Sequence, residues 1–289
     1  MSAEVTVVDG AAMAWVNGAD VFETMDPAFR DNIGQDVESA LDLLSRYHAR
    51  CLWKDETTGR RIDHIRCEPG YEDLSEAFHD SVEECLVLGG AVDLTAEGHF
   101  EQGDYFWRPP GWVHSAVSPA GFEALLMMEG AEPCEGSHHV SRVVRPDEEA
   151  GEHAGDADPV GPRGYVRRVE SRFMPWRSHD DTGTRLSAGE DPGLRSQVLS
   201  SNADAGTETT LVRLPQGWRS TPPVRDLDLF LVTLKGRLAV DGAMLEPSGL
   251  VHVPAGTVAP ALEALDDVEV MVKTSPAAGQ ATMKERQEQ

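Results

Sequence analysis

The stretch "GDYFWRPPGWVHSA", Gly103–Ala116, decides how the rest of the chain reads. Gly103–Asp104 opens a turn, and a short aromatic run follows it as a strand. Pro109–Pro110–Gly111 then makes a second turn. Proline cannot donate to a ladder, and glycine reaches backbone angles closed to other residues. His114 comes three residues after that glycine, at the start of whatever follows the turn.

Upstream lies "FHDSVEECLVLGG", Phe78–Gly90. Its second half reads as an apolar strand entering a turn. Its first half adds His79, Glu83 and Glu84. On one continuous strand, residues 79, 81, 83, 85 and 87 share a face. His79 and Glu83 then stand about 13 Å apart at roughly 3.3 Å per residue, too far to share an ion unless the backbone bends. Glu84 is expected to face solvent.

The chain also repeats itself. Gly59 and Gly206, Arg66 and Arg213, Gly70 and Gly217, and Gly89 and Gly236 are each 147 residues apart. "RPPGWVHSA" aligns with "HVPAGTVAP" at an offset of 145 (Pro109 with Pro254, Gly111 with Gly256). "VTVVDGAAMAW" (5–15) aligns with "VRRVESRFMPW" (166–176) at an offset of 161, which pairs Trp15 with Trp176. The difference between 161 and 147 leaves 14 extra residues in the first half, between 20 and 51. In that window Val37, Ala40, Leu41 and Leu44 recur at i, i+3, i+4, i+7, which predicts a short amphipathic helix. Both halves otherwise alternate short apolar runs with Gly, Pro and Asp turns, the pattern of an all-β barrel or sandwich. The expected organisation is a first domain over 1–131, an acidic Gly/Pro-rich linker over 132–163 and a second domain over 164–289.

These segments resemble the cupin superfamily, whose two motifs have the forms G(x)5HxH(x)3–4E(x)6G and G(x)5PxG(x)2H. Gly103, Pro109, Gly111 and His114 match the second motif. His79, Glu83 and Gly90 match part of the first, but Ala77 stands where its first histidine is expected, and Gly70 lies one residue before its first glycine position. "GDYFWRPPGWVH" is especially similar to the cupin domain of ChrR-type anti-sigma factors. The resemblance covers both halves and implies two tandem double-stranded β-helix (jelly-roll) barrels, with the short helical insertion in the first.

By the same resemblance His79, Glu83 and His114 are the ligands of one divalent metal. Two imidazoles and a carboxylate suit Fe(II), with Zn, Mn or Ni as alternatives. His64, on the preceding strand, is the candidate for an extra ligand or a supporting partner. Trp107, Trp112, Arg108 and Cys85 are candidate pocket residues, Arg108 as a bidentate holder of an anionic substrate. Arg66 is matched by Arg213 and reads as structural. In the second half the alignment sets Asp226, Phe230 and Ala259 against His79, Glu83 and His114, so that barrel is expected to lack the metal site, its interior filled by Phe230 and Leu234. His99, His252 and the pair His138–His139 read as ordinary loop or strand histidines.

The bulk numbers narrow the function. The 289 residues carry 25 basic and 50 acidic side chains, a net charge of −25, which repels nucleic acid and anionic membrane. The four cysteines include no C-x-x-C pair, and no apolar run is long enough to cross a membrane. MSAEVTVVDG lacks the features of a signal peptide, so a cytoplasmic location is expected. No G-x-S-x-G, P-loop or H-E-x-x-H occurs. The resemblance implies a mononuclear metal-dependent enzyme, foremost an Fe(II) dioxygenase acting on a small enol, diketone or phenolic substrate. The alternatives are a non-catalytic zinc- or ligand-sensing cupin and a metal-dependent isomerase or lyase. The expected partner is a small molecule, with a homodimer as the assembly to test.

Overall fold

The runs between Gly, Pro and Asp turns pair antiparallel throughout. A computed structural model describes residues 4–25, 27–30, 33, 36–79, 81–95, 97–109, 112–129, 141–143, 168–178, 186, 193–202 and 206–277. Of the expected linker, 132–163, only Ser141–Val143 falls within that set, as a strand paired with the end of Tyr71–His79. His138 and His139 lie outside it.

The chain divides into two units, one of Ala14–Arg172 and one of Met1–Met13 with Phe173–Gln289. The contiguous boundaries expected from the repeat are therefore shifted at both N-terminal segments. Thr6–Val8 pairs with Leu250–Val253, Val8 opposite Leu250. Val169–Glu170 pairs with Asp104–Arg108, Val169 opposite Tyr105. Val8 and Val169 are repeat equivalents, so each strand joins the matching edge of the other repeat. Periodicity is blind to this exchange because both edges present the same register.

In the Ala14–Arg172 unit the strand order is Ser141–Val143, Tyr71–His79, His114–Ser118, Glu83–Leu94, Phe122–Met128, Arg61–Cys67, Tyr47–Lys54, Val16–Asn17. Met128 lies opposite Glu83 on one side and opposite Arg61 on the other. Leu126 likewise lies between Cys85 and Asp63. Because side chains alternate, these rows put residues 83 and 85, 126 and 128, and 61 and 63 on the inner face.

The insertion forms the predicted helix, Val37–Ser45. Asp36 caps it: Ser39 N–H donates to Asp36 Oδ1 at 2.8 Å, and Asp36 N–H donates to Ser39 Oγ at 3.0 Å. The buried side is Ala40, Leu43 and Leu44. Val37, expected on that face, is 62% exposed.

The other unit packs a dry core that includes Leu229, Leu231, Val251, Val253 and Val270. The repeat is visible in detail. Arg66 lies over the Trp15 ring at 4.6 Å and Arg213 over the Trp176 ring at 3.7 Å, so Arg66 has the structural part assigned to it. Gly90 and Gly236 both have positive φ, +72° and +78°. A Cβ on Gly90 would overlap the Gly121 carbonyl, and one on Gly236 would overlap that of Asp267. This close approach of a bent strand to its neighbour needs glycine.

Equating these glycines gives a spacing of 146, one less than the sequence alignment, and moves every strand residue to the other face. Glu83, opposite Arg108, then corresponds to Leu229, opposite Val253. Phe230 corresponds to Glu84 instead. It stacks on His252 at 4.5 Å rather than entering the core with Leu229 and Leu231.

Candidate metal centre

Phe78–Gly90 is not one strand. Tyr71–His79 ends at the histidine, and Glu83–Leu94 begins at the glutamate. With the two residues on separate strands the 13 Å separation disappears, and His79 Nε2 is 3.8 Å from Glu83 Oε1. His114 opens the His114–Ser118 strand, with its Nε2 3.9 Å from Glu83 Oε2. The two imidazole centroids are 5.1 Å apart. One ligand atom from each of the three residues lies within 4.8 Å of the others, and no other such group of three occurs among the described residues.

The donor set fits a divalent ion. His114 Nδ1 is 3.0 Å from the Trp112 carbonyl, so this nitrogen carries the proton and donates it, leaving Nε2 bare toward Glu83. Burial, reinforced by the positive charge of Arg108, pushes His114 down to about 4, which keeps the ring in its ligand form. Burial opposes the charge of Glu83, but Arg108 and the two histidines overcome it and hold the carboxyl at about 2. Bonds of about 2.1 Å need ligand atoms roughly 3.0–3.5 Å apart, slightly closer than the spacings here and within reach of small side-chain rotations. Ala77 sits opposite His114 in the ladder and offers no donor, so the set presents three protein donors.

The remaining candidates separate by strand face. Arg108 lines the site with two of its nitrogens turned to carboxylates, and its buried Nη2 has no hydrogen-bond partner among the described residues. It is 1% exposed, Nη1 donates to Glu83 Oε2 at 2.8 Å, and Nε donates to Glu97 Oε1 at 2.5 Å. Glu97, itself buried, was missed in the sequence because "TAEGHF" reads as a surface turn. Cys85 lies on the inner wall as expected, and burial followed by the charge of Glu83 raises its thiol, so it is a protonated wall group.

His64 is no ligand. Its neighbours Asp63 and Ile65 face inward, while its own ring packs at 4.9 Å on Trp15 and pairs with Glu123 at 2.5 Å. Trp107 is opposite Glu84, on the outer face, and Trp112 contributes its carbonyl rather than a cavity wall. Glu84, expected in solvent, is 1% exposed and accepts a hydrogen bond from the Tyr105 hydroxyl at 2.7 Å. His99 is exposed and paired with Asp93 at 2.8 Å.

The triad borders a cavity of about 580 Å³ within this unit. Leu43 and Leu44 of the inserted helix form part of its wall, with Ile65, Phe106, Leu126 and Met128. Its polar lining away from the triad includes Arg61, Asp63 and Asp73. In the other unit Leu229, Val253 and Ala259 hold the places of Glu83, Arg108 and His114, all in the apolar core.

Residues 41–132 of the Ala14–Arg172 unit match the family model described as the ChrR Cupin-like domain. No curated protein matches the chain at a significant level. Solved structures do resemble it. A provisionally assigned dioxygenase from Nostoc punctiforme has a TM-score of 0.68 at 15% identity, over 97% of this chain and 85% of that one. A salicylate 1,2-dioxygenase variant from Pseudoaminobacter salicylatoxidans, in complex with gentisate, has 0.59 at 12%, over 99% and 84%. A pirin from Escherichia coli in complex with nickel(II) has 0.51 at 14%, over 81% and 93%. At these identities the likeness is one of fold.

Proposed function

We propose that this chain is a mononuclear metal-dependent cupin oxidoreductase of the dioxygenase type, using Fe(II) on a small enol, diketone or phenolic compound. One observation carries the reading: two imidazoles and a carboxylate converge on the wall of a mostly apolar cavity of about 580 Å³. Fe(II) held by such a set supplies Lewis acidity and redox chemistry at its remaining coordination positions.

The chain's own part is to hold and to exclude. His79, Glu83 and His114 provide the donors, and the Trp112 carbonyl fixes the His114 ring. Arg108 keeps Glu83 ionised, so the set carries one negative charge. Leu43, Leu44, Phe106 and Leu126 keep water from the ligand and suit a flat apolar body. The dioxygenases among the similar structures support the oxidative reading.

The match to the ChrR Cupin-like domain favours a second reading, a zinc- or ligand-sensing cupin without turnover. An isomerase or lyase using the metal only as a Lewis acid would use the same groups. Metal analysis of protein purified without added metal, followed by O₂ uptake of the Fe(II)-loaded protein over catechols and diketones, separates these. Stoichiometric metal with uptake supports the proposal. Tight zinc with a silent panel replaces it by sensing, and no metal at all removes it.

A further inference from the structure

The cavity wall contains a charged pair that the metal centre does not use. Arg61, Met128 and Glu83 face one another across three adjacent strands and all line the cavity. At about 4.8 Å per strand the Arg61 and Glu83 backbones are roughly 10 Å apart at the same depth. A ligand held at the triad is therefore within reach of Arg61.

The Arg61 head is fixed along one edge only. Its Nη2 donates to Asp63 Oδ1 at 2.9 Å, and its Nε is 2.5 Å from Asp63 Oδ2. Asp63 is 3% exposed, in register with Cys51 and Leu126. A guanidinium has a second edge, Nη1 with the other hydrogen of Nη2, which matches a carboxylate in two parallel hydrogen bonds. No described residue occupies that edge, and the Arg61 side chain is 33% exposed. Arg108, the other cavity arginine, is 1% exposed and gives Nη1 to Glu83 and Nε to Glu97, with its buried Nη2 left without a hydrogen-bond partner among the described residues. Asp73, the remaining carboxyl on the wall, accepts the Ser75 N–H at 3.0 Å, and burial raises its pKa.

We propose that Arg61, oriented by Asp63, is the specificity-determining residue of this cavity and binds an anionic carboxylate on the substrate, about one ring's width from the oxygen that meets the metal. The substrate class narrows from phenols and enols in general to phenolic or enolic acids. This rests on the metal-centred reading above, and the experiment separates the two.

The test compares 3,4-dihydroxybenzoate with catechol, two probes with the same chelating oxygens that differ by the carboxylate. Binding to the Zn(II)-loaded, redox-silent protein is followed by calorimetry. The expected result is that the acid binds at least about tenfold more tightly, a charge-assisted pair in a cavity being worth that much. Arg61→Gln alone strands Asp63 as a buried charge, so the variant is Arg61→Gln/Asp63→Asn, with its fold checked by circular dichroism. It should lose the preference while catechol affinity and zinc content stay unchanged. Arg61→Lys, which keeps the charge beside Asp63 and lacks the second edge, should lose most of it. Equal affinities in the unaltered protein, or a preference that survives the double substitution, would overturn the proposal. If zinc does not bind stoichiometrically, the metal reading fails instead. Arg61 is then read on metal-free protein with benzoate against benzyl alcohol, where a preference abolished by the double substitution supports it and no preference overturns it.

Discussion

Arg108 donates from Nη1 to Glu83 Oε2 at 2.8 Å while its Nε holds Glu97 at 2.5 Å, so one buried arginine sits between two buried carboxylates. Three desolvated charges in a row are costly to assemble and more costly to break. Arg108→Met should destabilise the metal-free protein by about 3–5 kcal/mol in denaturant unfolding, since it leaves two uncompensated charges. Adding Glu97→Gln should recover part of that loss. An Arg108→Met protein as stable as the unaltered chain would show that Glu83 and Glu97 are not charged in the folded state.

The three ligands should fail as a set. His79→Ala, Glu83→Gln and His114→Ala are each expected to lower bound metal well below one per chain by elemental analysis. His64→Gln is the control. It should retain the metal, because His64 faces Trp15 and Glu123, and should cost about 1–3 kcal/mol of stability from the lost buried pair. Metal loss in His64→Gln equal to that in His114→Ala would place His64 at the centre after all.

Ala77 is opposite His114 and 6% exposed, in the position where a fourth nitrogen would complete the set. Ala77→His is therefore expected to slow metal release to a chelator relative to the unaltered protein. Faster release would mean that the added ring displaces His114 instead of joining it.

Gly90 has φ +72° and would carry a Cβ into the Gly121 carbonyl. Gly90→Ala should cost at least about 1–3 kcal/mol, from the disfavoured conformation and from the strand shift that the overlap forces. A thermal melt checks this, and an unchanged midpoint would mean that the two strands part without cost.

Much of the site was legible in the chain. His79, Glu83 and His114 were marked by the resemblance of their surroundings to the two cupin motifs, whose Gly and Pro turns are present in the chain. The inserted helix was legible from its apolar period, although Val37 proved to be exposed. Strand faces were less legible. A single-residue slip in the repeat set Phe230, rather than Leu229, against Glu83, and a bend within Phe78–Gly90 was invisible to strict alternation.

The sequence by itself determined the β architecture and the twofold repeat, since these depend on local backbone preferences, and its motif residues marked the three candidate donors. Only the tertiary structure decided which partners met across long separations. It gave Arg108 to Glu83 and Glu97, set His64 on the outer face, buried Glu84 against Tyr105, and moved Thr6–Val8 and Val169–Glu170 each onto the edge of the other repeat. The physical reason is that strand pairing and desolvation act between residues far apart in the chain. Register across neighbouring strands decides which side chains share a face, and no periodicity within one strand specifies its neighbour.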